Sequence, residues 1–363
     1  MRIAFYGSSL LSSYWNGAAT YYRGLLRELA ARGCDITFYE PDAFDRQKHR
    51  DIDAPDWCRV VVYDATPHAL QAAAARAATA DVVVKASGVG YEDDALLDAV
   101  MAAARPGAVT IFWDVDAPAT LAEIRPQPQH AIRRALRRLD LVLTYGGGDP
   151  VVDAYRGLGA RACIPVYNAL DPTTHHPAPA DARFDADLGF LGNRLPDREA
   201  RVEEFFLRPA AATPDARFLL GGAGWGSRAL PANVRWLDHV PTRDHNAFNC
   251  TPKAVLNVNR ESMAANGFSP PTRVFEAAGA GACLITDAWE GVEMFLAPGE
   301  ETLVARDGAD VAEILRTLDA ARAKAIGERA LARVLRDHTY AQRAAQVIDI
   351  LQMAQTQRAG EAA

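Results

Sequence analysis

The sequence predicts an α/β protein built of two doubly wound, Rossmann-like domains facing a central cleft. Three observations carry this. Short apolar strand-like runs alternate with helical patterns along the whole chain, the pattern pauses once near residues 164–187, and it then begins again. Strands separated by helices imply a parallel sheet covered on both faces. At 363 residues, with 49% hydrophobic and 23% charged side chains, the chain can fill two ordinary cores.

In chain order, residues 3–6 read as the first strand, 18–32 as a helix and 35–39 as the second strand. Further short apolar runs follow at 60–63, 81–85, 109–113 and 141–144, with helical patterns at 68–78, 95–104 and 130–138. Residues 164–172 and the proline-dotted 173–187 read as an interdomain linker. The second series has strands at 188–191, 217–221, 234–237, 254–258, 282–286 and 302–305. Its helices fall at 197–207, 243–248, 272–278 and 310–321, and the Ala/Arg-rich end is helical at 324–336 and 340–357. Two such sheets bind ligands outside the carboxyl ends of their strands, so a ligand between the domains is the expectation.

Composition excludes several classes. A net charge of −7 argues against non-specific nucleic-acid binding, and Arg133, Arg134, Arg137 and Arg138, at helical spacing, read as a solvated face. The five cysteines are scattered and odd in number, with no Cys-x-x-Cys spacing, which disfavours a disulfide framework or zinc site. The first residues enter a strand pattern directly, without a signal peptide, and no apolar run reaches transmembrane length. The expected location is cytoplasmic. No metal site is expected; His175 and His176 read as linker residues.

The stretch from Asn266 to Asp287 says most about chemistry. Ser269 reads as a helix cap with Pro270 at the first helical position, leaving the amides of Thr272 and Arg273 and the helix dipole to favour an anion. Arg273 adds a planar cation suited to phosphate, and Glu276 shares its helix face. A cation for a diphosphate and a carboxylate for ribose hydroxyls, one turn apart, describe a nucleotide-sugar grip; an ordinary Arg–Glu pair is the plainer alternative. Elsewhere, the small-residue loop after the first strand lacks Gly-x-Gly-x-x-Gly; Asn16-Gly17 before the helix reads either as a place where backbone amides approach a phosphate or sugar, or as a flexible loop capped by Asn16. Asp114 and Asp116 lie at a strand end, placed either for general-base work on a hydroxyl or to cap the next helix, and Trp113 reads as core or a sugar platform. Gly192, Asn193, Arg194 and Arg198 follow the first strand of the second half, and both arginines are candidates for an anion. Asn257, Asn259 and Arg260 mark another polar strand end, Gly222, Gly224 and Gly226 a turn, and residues 145–150 a tight turn at the cleft edge.

These parts together resemble the GT-B glycosyltransferases, specifically the CgeB-like (spore-maturation-type) branch. The resemblance is strongest from about residue 187 to 338. It rests on Gly192-Asn193-Arg194, Asn233-Val234-Arg235-Trp236, Leu256-Asn257-Val258, Arg273-Val274-Phe275-Glu276-Ala277 and Asp337-His338-Thr339-Tyr340. It implies an acceptor-side domain over residues 1–168, a donor-side domain over 169–338, and a final helix, 339–363, returning to the first domain. By resemblance, Glu276 holds the ribose, Arg273 and Arg198 the diphosphate, and Gly17 approaches the phosphate from the other domain. The backbone around His239 and Val240 meets the base. Asn16, Asn193, Arg194, Arg260, Gly267, Phe268 and Ser269 complete the expected donor surroundings. One departure stands out: the first of the two glutamates common in retaining relatives falls at Phe268, so stereochemistry stays open. The expected activity is metal-independent transfer of a hexosyl group from a nucleotide-diphosphate-sugar co-substrate to an unidentified acceptor, with no further cofactor. A nucleotide-sugar 2-epimerase and a non-catalytic nucleotide-sugar-binding protein are the alternatives.

Overall fold

The computed structural model describes residues 1–14 and 16–362. It divides into two compact units, Met1–Tyr167 with the chain from Tyr340 onward, and Asn168–Thr339. Each is a parallel α/β sheet with helices on its faces.

In the first unit, seven strands are formed among the described residues: β1 (Arg2–Tyr6), β2 (Asp35–Asp42), β3 (Arg59–Asp64), β4 (Val82–Ala86), β5 (Val109–Asp114), β6 (Leu141–Thr144) and β7 (Cys163–Pro165). Their order is β3-β2-β1-β4-β5-β6-β7, all pairs parallel, so the winding reverses between β1 and β4. Strands β4, β5 and β6 are buried along their whole length. That explains why they read as unbroken apolar runs rather than as alternating ones. Trp113 belongs to this core, against Phe5 and Tyr21. A sugar platform at that position is ruled out by its burial.

The second unit carries β8 (Leu188–Leu191), β9 (Phe218–Gly221), β10 (Val234–Leu237), β11 (Ala254–Asn257), β12 (Leu284–Asp287) and β13 (Leu303–Ala305) in the order β10-β9-β8-β11-β12-β13. Here the winding reverses between β8 and β11. Phe190, Phe206, Phe218, Trp225, Leu256 and Ile285 anchor its core.

Four sequence expectations change. The segment 164–172 holds the border between the units, at Tyr167 and Asn168, but its two ends are structured. Cys163–Pro165 joins the first sheet because its carbonyl and amide groups complete the ladder with β6, and the backbone of Leu170 bonds His338. The proline-dotted stretch after it coats the second unit, with Phe184 buried and Ala178 and Asp181 bonded to Cys250 and Thr251. The turn expected at 145–150 opens a helix, Gly148–Gly157, with Gly147 and Gly148 at positive φ. A further helix, Ala117–Ile124, follows β5. The expected helix 310–321 splits into Gly308–Thr317 and the start of Ala320–Asp337, with Asp307 and Asp319 as side-chain caps.

The last helix, Tyr340–Ala362, packs on the first unit. Arg343 Nε donates to the Tyr167 carbonyl at 3.2 Å, Gln346 to Pro165 at 3.0 Å, and Arg358 pairs with Asp140 at 2.7 Å. Its closest approach is at Gly24, where an added Cβ would lie 2.3 Å from the Tyr340 ring. Gly24→Ala is therefore expected to destabilise the protein by about 1–3 kcal/mol. A lower melting temperature and earlier proteolytic release of the C-terminal helix would show it. Unchanged melting and proteolysis would mean that the contact does not hold the helix.

Candidate functional site

The carboxyl edge of the second sheet gathers most of the candidates. β8 runs into Gly192-Asn193-Arg194 and the Pro196–Val202 helix, which carries Arg198. β11 runs into Asn259, Arg260 and the Glu261–Asn266 helix. These two strands flank the winding reversal, the place where open α/β sheets bind ligands. Next comes a strained loop. Gly267 has φ +66° and Phe268, a bulky residue, φ +46°. The loop is held by the Phe268 amide on the Glu290 carbonyl at 2.6 Å and by the Phe268 ring lying over Gly291, where a Cβ would come within 2.3 Å of it.

The following helix is Thr272–Gly279, two residues shorter at its start than the Ser269 cap implies. Pro271 disfavours helical geometry at the residue before it, so the helix begins only after both prolines. Pro271 takes the capping position without a side-chain bond. The Ser269 hydroxyl is buried and has no hydrogen-bond partner among the described residues.

Arg273 and Glu276 stand on the first turns of this helix. Neither makes a side-chain hydrogen bond or ion pair among the described residues; Glu276 acts on Arg273 only through its charge. Burial lowers the Arg273 guanidinium, opposed by Glu276. Arg198 is also without such a bond, and its Nε is buried. Burial, and next the Arg273 charge, lower it to about 10. At neutral pH both guanidinium groups remain charged. The site thus holds two neighbouring, half-buried cations with no carboxylate bonded to either. Arg198 lies against Gly192, where a Cβ would meet its Nη1 at 3.0 Å. A larger residue at 192 would push it aside.

His245 sits in the same electrostatic neighbourhood and was not foreseen from sequence. Its Nε2 lies 3.2 Å from the Val240 carbonyl, and burial lowers its pKa against the opposing charge of Glu276. The ring is neutral, with Nε2–H donating and Nδ1 left as an acceptor. The Asp-His pair at 244–245 opening a short helix was the available signal. Val240 itself is a core side chain, whereas His239 is exposed.

Other candidates are already engaged. The Asn193 amide oxygen accepts from Ala223 N at 3.0 Å, where the loops after β8 and β9 touch. Arg194 pairs with Glu199 at 2.7 Å and reaches Ser227, and Arg260 pairs with Asp197. The two arginines are held in ion pairs, and the Asn193 oxygen holds the loop after β9. Sequence reasoning also missed Arg201 and Asp287, a buried ion pair at 2.5 Å.

In the first unit the two aspartates differ sharply. Asp114 is fully buried. Its Oδ1 accepts from the Ser87 hydroxyl at 2.7 Å, the Thr120 hydroxyl at 2.9 Å and Asp116 N at 3.0 Å, and its Oδ2 accepts from the Tyr155 hydroxyl. Burial raises its pKa while these bonds oppose the rise. Fully buried, Asp114 presents no oxygen to a substrate hydroxyl; it ties β5 to the Ala117–Ile124 and Gly148–Gly157 helices through Thr120 and Tyr155. Asp116 is half-buried at the start of that helix. The buried Asn16 amide closes its own loop, donating to the Ser9 and Ser12 carbonyls while its oxygen accepts from Ser8. Gly17 is exposed, with open space around an added Cβ.

Among the described residues no group of three or more His, Cys, Asp or Glu could hold a metal ion, and no helix is long and apolar enough to cross a membrane. The free cysteines are buried except Cys250, which is half-buried.

Residues 198–349, less than half of the chain, match the sequence pattern of a family described as "Glycosyl transferase-like". No curated protein matches the chain by sequence. Among solved structures, HepE from Anabaena, in a complex with UDP and glucose, superposes with a TM-score of 0.67 at 15% identity, covering 97% of this chain and 100% of HepE. Sucrose-phosphate synthase from Thermosynechococcus elongatus gives 0.67 at 15%, covering 97% and 98%. AviGT4, a glycosyltransferase involved in avilamycin A biosynthesis, gives 0.60 at 15%, covering 98% of each. At these identities the likeness establishes architecture: two Rossmann-like parallel-sheet domains of the GT-B glycosyltransferase fold.

Two outcomes follow for the unliganded protein. A base whose pKa is lower folded than unfolded binds its proton less tightly when folded, so the Arg198 charge opposes folding at neutral pH. Arg198→Met is expected to raise stability by about 0.5–2 kcal/mol in urea unfolding; a loss of stability would mean that Arg198 has a counter-charge in solution. Asp114→Ala should cost about 2–4 kcal/mol by stranding its buried donors, while Asp116→Ala should stay within about 1 kcal/mol. Equal losses would contradict the different parts drawn for the two.

Proposed function

We propose that the chain is a glycosyltransferase that moves a hexosyl group from a nucleotide-diphosphate-sugar to an acceptor hydroxyl without a metal ion. The observation that carries this reading is the pair Arg198 and Arg273: two neighbouring, half-buried cations without a bonded anion, on a GT-B scaffold. A diphosphate supplies the charge that they lack and takes their planar forks. As the glycosidic C–O bond breaks, negative charge builds on the departing diphosphate, and fixed cations stabilise it more than they stabilise the ground state. In this reading the charge is met by the protein's own guanidinium groups.

The other roles follow in order. Glu276, one turn beyond Arg273 and without a bonded partner, accepts from the ribose hydroxyls. The amides of Thr272 and Arg273, the loop of Gly267 and Phe268, and the Ser269 hydroxyl offer donors near the phosphates. The Val240 backbone and the neutral His245 imidazole face the base. In the first unit Asp116, rather than Asp114, is carried forward as the carboxylate for the acceptor. The polar strand ends and the Arg273–Ala277 run support a place in the CgeB-like branch, and the five free cysteines support a reducing, cytoplasmic setting. HepE was solved with UDP, which makes UDP the first nucleotide to try.

The test is thermal stabilisation by UDP, GDP, TDP and their sugar conjugates with no metal added. One nucleotide series should raise the melting temperature. Glu276→Ala and Arg273→Ala should each weaken its binding about 10- to 100-fold. No shift with any nucleotide, in a folded sample, would move the reading to a different ligand. Binding without sugar transfer to any acceptor would favour a non-catalytic binding protein, and a new sugar isomer would favour an epimerase.

A further inference from the structure

Beneath the proposed diphosphate grip runs a chain of ionic contacts for which that reading has no role. Asp287, the last residue of β12, is fully buried. Its oxygens accept from Asn259 N at 3.1 and 3.2 Å and from Arg201 Nη2 at 2.5 Å. Arg201 Nη1 continues to Glu261 at 3.0 Å, and the next residue back, Arg260, pairs with Asp197. Asn259 also bonds Asn257, which bonds Thr286. One network thereby joins the segments that leave β8, β11 and β12.

Arg198 and Arg201 share a face of the Pro196–Val202 helix, one turn apart. Their situations are opposite. Arg201 is neutralised by two carboxylates and its guanidinium carbon lies over the Phe205 ring, 5.4 Å from the centroid. Arg198 has no bonded anion. The helix is the opening part of a longer helical run that continues through Glu203–Leu207 and Arg208–Ala212, so Arg198 stands near its free N-terminal end. The Arg201–Asp287 pair, its carboxylate fully buried and its guanidinium half-buried, ties the first turns of this run to the end of β12. Direct chemistry by Asp287 is ruled out, since both oxygens are occupied and none of the residue is exposed.

We propose that Arg201 and Asp287 are positioning residues: their ion pair locks the helix after β8 to the ends of β11 and β12 and holds Arg198 ready for the donor diphosphate. This rests on the donor reading above. It assigns to the pair a selective effect, on the phosphate end of the ligand and not on its base. A preset cation loses less freedom on binding than one on a loose helix.

The experiment compares the affinities of UDP and uridine for the full chain, or of GDP or TDP and its nucleoside if that series stabilises better. Wild type, Arg198→Met, Asp287→Asn, Arg201→Lys and the double variant Arg201→Met/Asp287→Asn are measured. Asp287→Asn keeps an acceptor for Asn259 N but loses the ion pair, and should weaken the diphosphate about tenfold while leaving the nucleoside within about twofold. Arg201→Lys, which cannot bridge two carboxylates with a planar fork, should show the same selective loss in a smaller degree. Adding either change to Arg198→Met should cost the diphosphate nothing more, because the cation being positioned is already gone. Equal losses for diphosphate and nucleoside, or no loss in a folded Asp287→Asn, would overturn the proposal. If Asp287→Asn does not fold, Arg201→Lys and the double variant decide it by the same criterion. Failure of the wild type to bind any diphosphate overturns both this and the donor reading. A selective loss in Arg198→Met without one in the Arg201 and Asp287 variants overturns this proposal alone.

Discussion

Charge without a bonded counter-charge is the constraint on which the second unit turns. Most ionic side chains there are closed into pairs: Arg194 with Glu199, Arg228 with Glu199 and Glu203, Arg201 with Asp287 and Glu261, Arg260 with Asp197. Against that background Arg198 and Arg273 are exceptions, half-buried beside each other and unbonded. Taking a cation out of water without compensation opposes folding, and a second cation nearby opposes it further. Such an arrangement is what an anion site requires, because the charge has to be in place before the anion arrives.

The same accounting of partners separates look-alike residues. Asp114, Asp287 and Glu276 are all acidic groups at or near the carboxyl edge of a sheet. The first two are fully buried and bonded on both oxygens, one by hydroxyls and an amide, the other by a guanidinium and an amide. They work as internal fasteners. Glu276 keeps its oxygens available. A carboxylate at a strand end is thus as often a way of joining a loop to a sheet as a tool for substrate, and its neighbours decide which.

Much of the architecture was readable in advance because parallel strands buried on both faces leave a plain mark. β4, β5, β6, β8, β9, β11 and β12 are all wholly buried, and each appears as a short apolar run. The helices Ala117–Ile124 and Gly148–Gly157 were missed for opposite reasons. The first is short and has a proline as its second residue, and the second opens on glycines that read as a turn. The strand Cys163–Pro165 was hidden in a proline-containing stretch, tolerated there because it is an edge strand. At the site, Arg198, Arg273 and Glu276 were singled out in advance from residue type and spacing, together with the family resemblance. Arg201 and Asp287 were not, since nothing in their local sequence separates them from ordinary positions, and His245 was passed over although an Asp-His pair opens its helix.

The sequence alone determined the two rounds of strand and helix, the absence of a cysteine framework, and the helix that sets a cation and a carboxylate one turn apart. Those are local properties, written in apolar periodicity and in the fixed geometry of a helical turn. Only the tertiary structure decided which charges are spent on one another. Ionic pairing joins residues such as Arg201 and Asp287, 86 positions apart in the chain. Its outcome depends on which strand ends the sheet order makes neighbours. Pairing over that distance leaves no periodic trace, so the difference between a fastened arginine and an available one appears only once the sheet has formed.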